Sequence, residues 1–342
     1  MFEGLIGNEQ LKERLTQLFE AGRIPQALLF AGPEGIGKKQ FATRLASAFV
    51  CETGKGCGAC RSCKRTLETE LPKPDDKDAF LRVIFSGHPD VGSVLPYKRN
   101  VLIDAIRDLD KEAHFRPYES AKRIFIIDDA HKMNASASNA LLKTLEEPPE
   151  TSWIFLITSQ PERLLSTITS RCQTIRFARV AAAEIEEFLN IRGVFGGEKA
   201  ALVSRVCGGN IGNALSLDLD AFLEMRSAML DVLDAALLKG SRAKMLQIGE
   251  MMNDAAHKDS YEAAMDVLEM LIRDLWLLSN DVDRERLTNF DLADRLSALS
   301  DASTPDRFAE WLAEIELLTQ RLSVNINRKV ATDSLFMNMA AA

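Results

Sequence analysis

Residues 28–39 read Leu28-Leu29-Phe30-Ala31-Gly32-Pro33-Glu34-Gly35-Ile36-Gly37-Lys38-Lys39. An apolar run that breaks into a glycine-rich turn is the pattern of a buried strand delivering its end to a phosphate group. Gly32, Gly35, Gly37 and Lys38 fall where a P-loop, G-x-x-x-x-G-K-[ST], places its glycines and lysine. Glycines there let backbone N–H groups converge on phosphate oxygens, the following helix N-terminus favours negative charge, and Lys38 reaches toward the terminal phosphates. The last position breaks the pattern. Lys39 stands where a Ser or Thr hydroxyl ligates magnesium, and an ammonium cannot coordinate a cation. Ordinary strand-to-helix turns also match so loose a pattern, so its meaning depends on the rest of the chain.

About ninety residues further on, Lys122-Arg123-Ile124-Phe125-Ile126-Ile127-Asp128-Asp129-Ala130-His131 is a second apolar run, closing in two acids. A central parallel strand presents carboxylates to a P-loop's magnesium in this way. In that role Asp128 would hold the metal, directly or through water. Asp129 would stand where a water-polarising Glu is common, one methylene shorter. The competing reading is a buried strand ending in solvated acids. A third apolar strand, Trp153–Ile157, ends in Thr158 and Ser159, where a polar tip either senses a terminal phosphate or merely caps the strand.

Cys51, Cys57, Cys60 and Cys63 crowd four thiols into thirteen positions, with Gly54, Gly56 and Gly58 permitting sharp reversals. Four thiolates satisfy the tetrahedral demand of a structural Zn²⁺ and leave no open position for catalysis. An iron–sulfur cluster or free thiols in a reducing compartment are the alternatives.

The 342 residues suffice for two or three domains, and a composition of 46% hydrophobic and 27% charged residues is that of a soluble globular protein. A net charge of −8 argues against a chain that coats nucleic acid by itself, although a local basic patch is compatible with it. No apolar run approaches the roughly 20 residues of a membrane span, and the N-terminus lacks a signal peptide's apolar core, so a cytoplasmic location without membrane partners is expected.

Helical spacing is expected over 8–22, with Asn8 as cap and Gly22 as stop, and over 40–50, 101–114, 134–147, 182–192 and 198–207. Phe80–Phe85 reads as a short strand ended by His88-Pro89-Asp90, and Gln173–Phe177 as another. From Leu219 the chain is helix after helix, including 225–238, 263–278 and 311–325, with Met225, Met229, Met265 and Met270 as core filler. The expected fold is therefore an α/β P-loop domain at 1–179 with a cysteine insertion at 51–63, a small helical lid at 180–217, and an all-α domain at 218–342.

GPEGIGKK, the four-cysteine insertion, HPDV, RPYESAKRIFIIDDAHKMNASASNALLKTLEEPP, the Thr158 strand and TSRCQTIRF follow one another in the order found in bacterial clamp-loader subunits. On these motifs, which cover about residues 1 to 180, the chain resembles that branch of the AAA+ ATPases. The resemblance implies a subunit of the DNA polymerase III holoenzyme whose helical third domain joins a circular collar. It also implies a five-subunit ring with motor subunits (gamma and tau) and a delta subunit, which opens a sliding clamp and places it on primed DNA. The Ser170-Arg171-Cys172 arginine would then project into the ATP site of the adjacent motor subunit, a catalytic role in trans.

Three departures from the motor subunits' pattern bear on this chain's own activity. Lys39 replaces the metal-ligating hydroxyl, Asp129 replaces a Glu, and Gly212 lies where the resemblance places a phosphate-sensing arginine. The expectation is a subunit without appreciable ATPase of its own, holding ATP or ADP weakly or not at all and with Mg²⁺ in doubt. An active ATP-hydrolysing motor subunit is the first alternative. A stand-alone zinc-stapled DNA-binding adaptor is the second.

Overall fold

The structure is a computed structural model that describes residues 1–239, 241–254, 260–322 and 327–340. Its contacts divide the chain into two compact units, Met1–Arg192 with Cys207–Leu215, and Gly193–Val206 with Ser216–Ala342.

The first unit is built on β1 (Ala27–Ala31), β2 (Ile84–Phe85), β3 (Val91–Val94), β4 (Arg123–Ile127), β5 (Ser152–Thr158) and β6 (Gln173–Arg176), arranged in the order β2-β3-β4-β5-β1-β6. Only the β2–β3 pair is antiparallel. Every residue of β1 and β4 is buried, as expected of strands covered on both faces. Alternate side chains serve opposite cores. Leu28, Phe30, Ile124, Ile126, Phe155 and Ile157 face one core with α1 (Glu9–Glu20) and α2 (Lys38–Phe49), which contribute Leu15, Phe41 and Leu45. Leu29, Phe125, Ile127, Ile154 and Leu156 face another, where α4 (Ile103–Ala113), α5 (Ala135–Glu146) and α6 (Ser166–Thr169) contribute Ile106, Leu109, Leu141 and Ile168. Between these elements α3 (Arg61–Leu67) carries the last of the clustered cysteines. After the sheet come α7 (Ala182–Arg192) and α9 (Ile211–Ser216), separated in sequence by α8 (Glu198–Val206).

Several local expectations are refined. Asn8 precedes α1, but its side chain does not cap the helix; its amide and carbonyl exchange hydrogen bonds of 3.2 and 2.9 Å with the backbone of Ala178. Asn134 does cap α5, accepting from the Ala137 amide at 2.9 Å. The strand expected at 80–85 shortens to Ile84–Phe85, because Asp76 caps a 3₁₀ turn over Lys77–Leu81 and Phe80 packs inward from it. His88 is a buried turn residue whose Nδ1 accepts from the Asp90 amide at 3.2 Å.

The second unit contains α8 and the helices α10 (Leu219–Asp234), α11 (Arg242–Met252), α12 (Tyr261–Ser279), α13 (Ala293–Ser300), α14 (Pro305–Leu322) and α15 (Arg328–Ala340). Among its described residues there is no strand. The nineteen-residue α12 is its spine and packs against α10, α13 and α14. Met229 and Met265 are buried, whereas Met225 and Met270 are half-buried. The last positions of the pattern read over 311–325 lie outside the described residues.

Candidate functional site

Parallel pairing brings three strand ends to one edge of the sheet. Ala31, at the end of β1, is in register with Thr158, at the end of β5, and β5 in turn separates β1 from β4. The turn after β1 and the acids after β4 therefore flank Thr158 at the carboxyl edge, where open α/β sheets bind ligands.

The turn itself has no room for side chains at two points. A Cβ on Gly32 would lie 2.6 Å from the carbonyl oxygen of Phe177. A Cβ on Gly35, whose φ is +70°, would collide with the carboxamide of Asn210. The Gly212 amide, at the start of α9, donates to the Gly35 carbonyl at 2.9 Å. A Cβ on Gly212 would stand 3.2 Å from that same oxygen. Gly37 (φ +91°) leads into α2, and Lys38 follows, 6% exposed. The Lys38 ammonium donates to the carbonyls of Gly32, at 2.8 Å, and Pro33. Burial lowers the Lys38 pKa, opposed by the nearby Asp129, Glu34 and Asp128 carboxylates.

Each acid after β4 is engaged by a lysine of the protein. Asp128 Oδ2 lies 2.9 Å from Lys39 Nζ, while its Oδ1 accepts from the Asp129 amide at 3.1 Å. Asp129, in a left-handed backbone conformation, holds Lys132 Nζ at 2.6 Å. Magnesium does not fit this donor set, because position 39 supplies a positive charge where the metal needs an oxygen. Thr158 is fully buried; its hydroxyl lies 3.2 Å from His131 Nδ1 and accepts from the Gln160 amide at 3.0 Å. Burial pushes the His131 pKa down, outweighing the raising effect of Asp129.

Arg171 stands apart from these contacts, just beyond α6. Its side chain is 35% exposed, with Nη2 2.6 Å from Glu146 Oε1, at the end of α5, and Nη1 donating to the Thr167 carbonyl at 2.9 Å. Its neighbour Cys172 is buried, and burial pushes that thiol up to about 12, as it pushes Cys207 up to about 11.

The four clustered cysteines converge, with sulfur atoms all within 4.8 Å of one another. Cys51 Sγ is 3.7 Å from Cys57 Sγ and 3.9 Å from Cys60 Sγ. A tetrahedral zinc with Zn–S bonds of about 2.3 Å requires sulfurs about 3.8 Å apart, so the cluster fits that ion. Burial raises the Cys51 thiol, but hydrogen bonds from Thr53 and the Cys57 amide outweigh it and bring the thiol down to about 5. Burial pushes Cys63 up to about 12.

The glycines, Lys38, Asp128, Asp129 and Thr158 were legible as one site because strand order converts sequence spacing into proximity. The contacts of Lys39 with Asp128, Gly212 with Gly35, His131 with Thr158, and Glu146 with Arg171 were not. Positions 39, 171 and 212 each carried a signal of their own, but none that named the partner.

A mostly parallel sheet with helices on both faces, a glycine turn after β1 and paired acids after β4, two places away in the sheet, defines a mixed α/β domain. The profile of the family described as DNA polymerase III, delta subunit, matches residues 7–181, and the chain belongs to that family. It is 31% identical over 327 residues to DNA polymerase III subunit delta' of Bacillus subtilis (strain 168), covering 93% of each chain. With the delta' subunit of Escherichia coli (strain K12) it shares 26% identity over 335 residues, covering 96% of this chain and 92% of the relative. With DNA polymerase III subunit tau of B. subtilis (strain 168) it shares 29% over 280 residues, 79% of this chain and 46% of the relative. Among the described residues, no helix is long and apolar enough to cross a membrane.

Proposed function

We propose that this chain is an AAA+ clamp-loader subunit of a DNA polymerase III holoenzyme that does not hydrolyse ATP itself and presents Arg171 to the nucleotide of an adjacent motor subunit. The pairing of Lys39 with Asp128 carries the reading, since an ammonium occupies the place from which a catalytic magnesium would act. The glycine at position 212 supports it, because it leaves no charged side chain to sense a phosphate there, and a Cβ would already sit tightly, 3.2 Å from the Gly35 carbonyl oxygen. A half-exposed guanidinium held by one surface carboxylate is free to exchange that partner for a phosphoryl group when subunits dock. The partners in this reading are gamma/tau motor subunits and a delta subunit in a five-subunit ring, the sliding clamp, and primed DNA. Residues 180–217 serve as the lid and 218–342 as the collar. The protein works in the cytoplasm, and a structural Zn²⁺ on Cys51, Cys57, Cys60 and Cys63 staples the insertion.

Reconstitution with motor subunits, clamp and primed DNA tests this. Arg171→Ala should slow hydrolysis at the adjacent site on the order of 10²-fold or more while assembly and metal content stay intact. Unchanged turnover in that complex sinks the role in trans. Rapid turnover by the purified chain alone would instead favour an active motor subunit. Elemental analysis should find one zinc per chain; iron, or no metal, would overturn the zinc assignment.

A further inference from the structure

Both carboxylates after β4 are already neutralised by ammonium groups of the protein, Asp128 by Lys39 and Asp129 by Lys132. The two pairs differ in origin. Lys132 lies three residues from Asp129 in the same turn, whereas Lys39 comes from the first turn of α2 and crosses the carboxyl edge of the sheet to reach Asp128. Position 39 is also where the P-loop pattern calls for the metal-binding hydroxyl. Around it the turn keeps the other features of a phosphate cradle, with Gly35 and Gly37 at positive φ and Lys38 folded under the loop. The misfit to magnesium is therefore concentrated in one side chain.

We propose that Lys39 is an internal counter-ion standing in the magnesium position, and that this lysine is what keeps magnesium-bearing nucleoside di- and triphosphates out of the turn. A divalent ion approaching Asp128 meets like-charge repulsion from the ammonium and finds both carboxylate oxygens already engaged, one by Lys39 and one by the Asp129 amide. Replacing Lys39 by a hydroxyl residue removes the repulsion and restores the missing ligand in one step. The Lys39 side chain is 47% exposed, so the exchange leaves the hydrophobic core untouched. This inference rests on reading residues 32–39 as a P-loop and is independent of Arg171.

The test is ADP binding to the full-length chain by calorimetry, with magnesium and with EDTA, for the wild type, Lys39→Thr and Lys39→Met. Magnesium should give the wild type no gain in affinity, and should tighten binding to Lys39→Thr by about tenfold or more, a factor set by 1.4 kcal/mol. Lys39→Met, which loses the charge without gaining a ligand, should show no such magnesium gain. Circular dichroism and zinc content report folding, and Lys39→Ser provides a second hydroxyl variant. A wild type whose ADP affinity rises with magnesium as much as that of Lys39→Thr would overturn the proposal. So would hydroxyl variants that are indifferent to magnesium or do not bind ADP at all. Failure here leaves the Arg171 reading standing, and an unaffected ATPase in the Arg171→Ala complex leaves this one standing.

Discussion

The two ends of β4 place charge under opposite conditions. At its start, Arg123 and Asp90 are both fully buried, the guanidinium Nε 3.7 Å from the carboxylate and Nη2 3.0 Å from Glu112. The rings of Phe85, Tyr118 and Phe125 lie 5.2–5.4 Å from the guanidinium carbon. Asp90 also accepts from the amides of Tyr118, Glu119 and Ser120. At the strand's other end the Lys39–Asp128 pair is open to solvent on the lysine side. Sequence shows an acid and a base near each end, but only burial separates a pair that holds the fold from one whose partners can be exchanged.

Removing charge at either end sharpens or breaks that contrast. The largest effect is expected for Asp90→Ala, which removes one of the two carboxylates facing the buried Arg123, leaving Glu112, and leaves three amides unsatisfied. It should lower unfolding free energy by about 3–5 kcal/mol in urea titrations. Acid should act through the same group. Burial raises the Asp90 carboxyl, but its amide donors outweigh that and hold it below the usual range. Its contribution is thus complete above the unfolded value of about 4 and is lost as pH falls through the folded value. Burial also depresses the pKa of His88 and His131, so stability should begin to decline below about pH 6.5. Asp90→Asn should flatten only the part of the curve below about pH 4. Next in size is Asn134→Ala, at the cap of α5, expected to cost about 1 kcal/mol. Lys39→Met should change stability by less than about 1 kcal/mol, as for other solvent-exposed ion pairs. A loss there as large as that at Asp90 would erase the contrast.

The central strands β1, β4 and β5 were legible because they are apolar runs bounded by glycines, acids or prolines, and the loop glycines and cysteines because their spacing is short; β3, Val91-Gly92-Ser93-Val94, carries too little apolar pattern to read as a strand. What sequence spacing leaves open is the long-range partner. Asn8 preceded a helical pattern and read as its cap, yet its side chain is used on Ala178, 170 residues away. Arg123 opens the apolar run to Asp128 with nothing in the sequence to mark its place, and is among the most deeply buried side chains, because Asp90, Glu112 and three aromatic rings surround it. Glu146 ended a helix and gave no hint that it holds Arg171.

Strand β1 pairs on one side with residues 154–158 and on the other with residues 173–176. During synthesis it therefore waits, apolar and unpaired along both edges, until well over a hundred further residues have left the ribosome. Such late, distant closure slows folding and favours a guarded nascent chain.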